Sequence, residues 1–137
     1  MLIGFSLPIK NKIFQKLFIA ALSFFFANFS WAEWKKVHEN SDSSFYIDHT
    51  TVRKNGALRR FWEVQNYKVK DSRGISSVLS KLEVNCLDDT ARYLARSTHS
   101  EPLGKGLTLQ PSDAEELISF HVPPNTPIVY LMKHVCN

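Results

Sequence analysis

Residues 78–86 read VLSKLEVNC. In an extended chain Val78, Ser80, Leu82, Val84 and Cys86 fall on one side, and Leu79, Lys81, Glu83 and Asn85 on the other. A period of two marks a strand with one dry and one wet face. It places Cys86 on the apolar side, in register with the core. Leu87-Asp88-Asp89 then reads as a turn, and Ala91, Tyr93 and Ala95 alternate with Arg92 and Arg96 in a return strand. Alternation carried across strands joined by a short turn predicts an antiparallel meander.

The same reading extends outward. Trp34–His38 is a short amphipathic strand, and Phe45 and Ile47 share a face in the next one. Asn55-Gly56, between Val52 and Leu58, predicts a type I′ hairpin turn, because both of its central residues need positive φ. Leu58–Lys68 is a long strand carrying Phe61, Trp62 and Tyr67, closed by a turn at Asp71-Ser72-Arg73-Gly74. Glu101–Gly106 is a Pro/Gly loop, followed by a short strand at Leu107–Leu109. Ser112-Asp113-Ala114-Glu115 has the form of a capping box. Thr126-Pro127 reads as an N-cap with proline at the first helical position. Behind it Ile128, Leu131, Met132 and Val135 fall at helical spacing, with Cys136 one turn from Met132. The β-branched Ile128, Val129 and Val135 leave an edge strand open as the alternative for residues 127–136.

The first 32 residues read as an address. Lys10, Lys12 and Lys16 precede an apolar run, LFIAALSFFFANF at 17–29, and Ser30-Trp31-Ala32 puts small residues at −3 and −1 of a cut between Ala32 and Glu33. This is the pattern of a Sec signal peptide, and the run is shorter than the ~18–20 residues that span a bilayer. The expected organisation is therefore a cleaved leader at 1–32 and one domain at 33–137, with no membrane span after cleavage. Three of the 17 Lys and Arg lie in the leader and all 13 Asp and Glu follow it, so the expected mature chain carries only +1. That balance argues against a nucleic-acid module. No cysteine lies near the cut, so no lipoprotein is expected.

Export makes the cysteine argument direct. Cys86 and Cys136 are the only two thiols, and an oxidising compartment favours pairing them. Closing a loop of about 50 residues contributes about 4 kcal/mol by the chain-entropy estimate. The alternatives, metal binding or thiol catalysis, lack a CxxC, and Cys136 sits one residue from the C-terminus. If the C-terminal segment is helical, the bridge pins that helix onto the sheet.

The ordered set is recognisable. Trp34, then Phe45-Tyr46-Ile47-Asp48, a long strand with Trp62, a strand ending Asn85-Cys86, a Gly104-Lys105-Gly106 loop, Val122-Pro123-Pro124-Asn125-Thr126 and a terminal Val135-Cys136 resemble the surface-adhesin protein E family of Gram-negative bacteria. The resemblance implies an α+β fold. Its core would be a single antiparallel sheet of about six strands, with a C-terminal helix tethered to the concave face by Cys86–Cys136. It also implies a homodimer and a non-catalytic role in adhesion to host extracellular-matrix or serum proteins. The founding adhesin is a lipoprotein, a point on which this chain departs from it.

Motifs for chemistry are sparse. The five histidines (38, 49, 99, 121 and 134) form no HxH or HExxH, so no metal site and no cofactor are expected. His99 and Glu101 are a close His/carboxylate pair in a loop, and His99 or His121 would be the base of a hydrolase if one existed. Gly104-Lys105-Gly106 lacks the context of a phosphate loop. Binding character is concentrated at the Asn55-Gly56 hairpin, where Arg53, Lys54, Arg59 and Arg60 stand beside Phe61 and Trp62, with Lys68, Lys70 and Arg73 at the far end of the strand. Such a tip suits an acidic or sulphated protein partner, of the host matrix or the envelope, though the same charges also serve to blunt a sheet edge. The expectation is thus an exported binding protein of the periplasm or cell surface. The alternative is a soluble periplasmic accessory module holding a small ligand against Tyr46, Tyr93, Tyr130 and Met132.

Overall fold

The computed structural model describes residues 32–111 and 118–137. The leader segment 1–31 and the capping-box motif at Ser112-Asp113-Ala114-Glu115 lie outside the described residues. Seven antiparallel strands form one sheet: β1 (Trp34–Glu39), β2 (Ser43–Asn55), β3 (Leu58–Tyr67), β4 (Ser77–Asn85), β5 (Thr90–His99), β6 (Thr108–Gln110) and β7 (Phe120–His121). The first six are neighbours in chain order, and β7 pairs with β5 beside β6. The chain ends in α1 (Pro127–Cys136), so the last segment is a helix rather than an edge strand.

Helix α1 packs on the face that the VLSKLEVNC alternation marks as dry. Leu131, Met132 and Val135 meet Phe45, Ile47, Phe61, Leu82, Val84 and Ala91 in one buried cluster. Cys86 and Cys136 are bonded, with Cα atoms 5.7 Å apart. Pro127 occupies the first turn as expected, but the Thr126 hydroxyl does not cap the helix. It donates to the carbonyl of Pro123 at 2.8 Å.

Three local departures follow from register. Asn55 pairs with Leu58, so the β2–β3 turn is built on Gly56 and Ala57 rather than Asn55 and Gly56. Of these residues only Gly56 has positive φ (57°), the signature of a II′ turn with glycine at the first central position. In β5, Leu82 pairs with Tyr93 but Lys81 with Ala95, leaving Leu94 as an extra residue. A bulge of this kind reverses the alternation beyond it. Ala95 therefore leaves the core face, and Arg92 and Arg96 end on opposite faces. The third shift, between Asp48 and Arg53, breaks the β2–β3 ladder.

The opposite face is partly covered by a 3-10 turn at Pro102–Gly104. Leu103 N–H donates to Asn66 Oδ1 at 2.8 Å, Gly104 N–H to Ser77 Oγ at 3.0 Å, and Ser77 Oγ to the Glu101 carbonyl at 2.6 Å. Gly106 has φ +75°, and a Cβ there would stand 2.4 Å from Ser100 Oγ. The Gly104-Lys105-Gly106 motif is therefore part of the loop that seats on the sheet.

Candidate functional site

Cross-strand partners project from the same face, so the register sorts the cations of the hairpin into two groups. Lys54 and Arg59 pair with one another and lie on the helix side. Arg59 is half-buried there: its Nε donates to the Val135 carbonyl at 3.2 Å, and Nη1 donates to the carbonyls of Gly56 at 2.7 Å and Leu58 at 3.0 Å. The last carbonyls of a helix lack intrahelical donors and carry partial negative charge, so a cation in this place stabilises the C-terminus. Arg59→Gln is expected to lower stability by about 1–2 kcal/mol, read as the denaturation midpoint. An unchanged midpoint would remove this role. Phe61 is in the core and presents nothing to solvent.

On the other face Arg53 pairs with Arg60, Arg60 with Glu83, and Glu83 with Arg92. The buried Glu83 carboxylate holds both neighbours: Arg60 Nε bonds to Oε2, and Arg92 Nε donates to Oε1 at 2.7 Å. Burial pushes the Glu83 carboxyl up, but the hydrogen bonds from Arg60 and Arg92 outweigh it and keep it below the ordinary carboxylate range. Arg53 is exposed, its Nη1 donating to the carbonyls of Thr50 and Val52. The next row across the sheet is Trp34, Asp48, Trp62 and Lys81. Lys81 Nζ lies 5.9 Å from the centre of the Trp62 ring, a cation–π distance. Asp48 is buried and turned onto its own strand, accepting from Thr50 N and Oγ1 at 3.0 and 2.6 Å. The result is one face of the sheet with four cations, two tryptophans and two buried carboxylates, Glu83 and Asp48.

Arg92 and Lys81 are the members that hairpin reasoning missed, because they sit on β4 and β5 and only the register brings them beside Arg53 and Arg60. The signal available in the sequence was the wet-face position of Lys81 and Glu83. At the far end of β3, Lys68 pairs with Glu39 at 3.1 Å and Arg73 with Asp71 at 2.8 Å.

Other candidates are dispersed. Met132 is buried in the core, Tyr130 stacks on His38, Tyr93 lies under Arg96, and Tyr46 is on the opposite face, so these four line no common groove. His99 is buried with its Nε2 2.9 Å from Ser97 Oγ, and His121 is exposed on β7. Among the described residues no helix is long and apolar enough to cross a membrane.

No curated protein matches this chain. The sheet and helix are similar to solved structures of Haemophilus influenzae protein E. Crystal form II of that protein aligns with a TM-score of 0.60 at 17% identity, over 77% of this chain and 88% of that chain. Its selenomethionine form gives 0.59 at 18%, over 77% and 87%. Protein E from a non-typeable strain gives 0.55 at 17%, over 77% and 76%. At this identity the likeness establishes the fold. The family model described as surface-adhesin protein E matches residues 34–137, the stretch that carries every strand, the helix and the disulfide described above, and the chain belongs to that family.

Proposed function

We propose that the protein is an exported, non-catalytic adhesin. On this reading the leader is cut between Ala32 and Glu33, and the mature domain reaches the cell surface without lipidation. It binds an acidic or sulphated region of a host matrix or serum protein. The observation that carries the reading is the face built by Arg53, Arg60, Arg92 and Lys81 around Trp62. Aromatic and arginine side chains are the residue types that dominate protein interfaces. Several cations on one face also speed the encounter with an anionic partner. Lys54, on the opposite side of the hairpin, lies outside this surface, and Arg59 serves the helix.

The test has two parts. Protease shaving of intact cells is expected to digest the protein without lysis, and complete protection would confine it to the periplasm. Purified protein is expected to bind immobilised matrix or serum glycoproteins with an affinity that falls as salt is raised, since exposed charges are screened within about 8–10 Å at physiological ionic strength. Arg53→Glu/Lys81→Glu is expected to weaken that binding about 100-fold or more, the effect of reversing two charges that face one partner. The Glu83 pairs remain intact in this variant, so its melting midpoint stays close to that of the parent. Parent-like binding in the variant removes this face from the mechanism. Reversal at Arg59 or Arg60 would be uninformative, because one holds the helix end and the other a buried carboxylate.

A further inference from the structure

Two of the five histidines, far apart in the chain, meet where the end of α1 lies beside β2. His49 stands in the irregular stretch of β2 between Asp48 and Arg53, and His134 in the last turn of α1. Their Nε2 atoms are 3.0 Å apart, with ring centroids at 4.7 Å and planes at 69°. His49 is exposed and His134 half-buried. In the metal-free protein one ring donates its Nε2 proton to the lone pair of the other. A cation can take the place of that proton. First-row divalent ions hold imidazole nitrogen at about 2.0–2.1 Å, so two ligands at a right angle stand roughly 3 Å apart and two tetrahedral ones roughly 3.4 Å apart. The observed spacing fits the right-angled arrangement, which Cu2+ and Ni2+ prefer.

We propose that His49 and His134 form a two-imidazole site for a divalent ion of the copper or nickel type, with water completing the coordination. Among the described residues no group of three or more His, Cys, Asp and Glu is placed to hold an ion, so the site is open and bidentate. The helix that carries His134 is held on both sides of it. Cys136, two residues beyond His134, is bonded to Cys86, and Tyr130, one turn earlier, stacks on His38 at 4.0 Å and 8°. Little ordering is then left for the ion to impose on that ligand. The proton balance is simple. A neutral ring that donated from Nε2 carries its proton on Nδ1 instead, so binding releases no proton from neutral imidazoles, and in acid the ion must displace protons. Lys35 of β1 is near enough for its charge to act on His134. Lys35 also repels the ion, so its removal should tighten binding.

The untagged protein with its disulfide intact would be titrated with CuCl2 and with NiCl2 in a non-coordinating buffer, by calorimetry and, for Cu2+, by electron paramagnetic resonance. The expected result is one ion per chain with hyperfine structure from two nitrogens. Binding should be at least ~10-fold weaker, about 1.4 kcal/mol, in His49→Gln and in His134→Gln, and weaker in the parent at acid pH. It should be unchanged in His121→Gln, on the exposed β7, and tighter in Lys35→Gln. Parent-like affinity in either His49→Gln or His134→Gln overturns the proposal, as does the lack of saturable binding up to about 1 mM, the weak limit of specific affinity.

Discussion

Replacing Cys86 and Cys136 together by serine is expected to lower stability by about 4 kcal/mol, the loop-closure entropy released when a cross-link over 50 residues is removed. For a domain of this size that corresponds to a fall of roughly 15–30 °C in the melting midpoint, out of a total stability of about 5–15 kcal/mol. The loss should also be local. Helix α1 has ten residues, too few to persist in water without tertiary contacts. It is held by three buried side chains, the Arg59 contact to Val135 and the bridge at its last residue. With the bridge gone, the helix can lift while the sheet persists, exposing Phe45, Ile47, Phe61 and Leu82. Amide exchange should therefore accelerate first in residues 127–136, and limited proteolysis should cut there before it cuts the strands. A double variant melting within about 3 °C of the parent, a shift worth less than about 1 kcal/mol, would contradict the tether.

Much of this arrangement is legible in the residues because it rests on local rules. The alternation from Val78 to Val84 identifies the core face, and the helical spacing of Leu131, Met132 and Val135 supplies its cover. The two cysteines land where those faces meet. What is illegible depends on register, which no local pattern records. One extra residue at Leu94 sends Arg96 to the face opposite Arg92, which pairs with Glu83 ahead of the bulge. One step in the hairpin moves the turn from Asn55-Gly56 to Gly56-Ala57. The basic cluster was visible as composition, but its partition into a helix clamp (Arg59), a carboxylate clamp (Arg60 and Arg92) and an exposed cation (Arg53) requires knowing which strand faces which. The histidine pair is hidden for the same reason: 85 residues separate His49 from His134, and neither belongs to a spaced motif.

Glu63 is the clearest case of a residue that strand alternation alone misplaces. It lies between Phe61 and Gln65 on the helix-side face of β3, paired with Ile47 and Ser80. It is only 5% exposed, and its Oε2 has no hydrogen-bond partner. Burial pushes the Glu63 carboxyl up from 4.5 to about 7, against the smaller opposing effects of the Ser80 hydroxyl and the charge of Arg96. The folded state therefore keeps a proton that the unfolded chain has already released. The stability tied to this proton is fully present below pH 4.5 and is lost as pH rises through about 7. Multiplying that shift by about 1.4 kcal/mol per pH unit gives a loss of about 3 kcal/mol across the window. Glu63→Gln keeps the shape without the charge. It should leave stability within about 1 kcal/mol of the parent in acid, where both side chains are neutral, and exceed it by about 3 kcal/mol above neutrality. Denaturation midpoints of the two proteins, compared from pH 4.5 to 8, isolate this group because every other titration is common to both. Parallel curves across that range would mean that the Glu63 carboxylate is paired or solvated when charged.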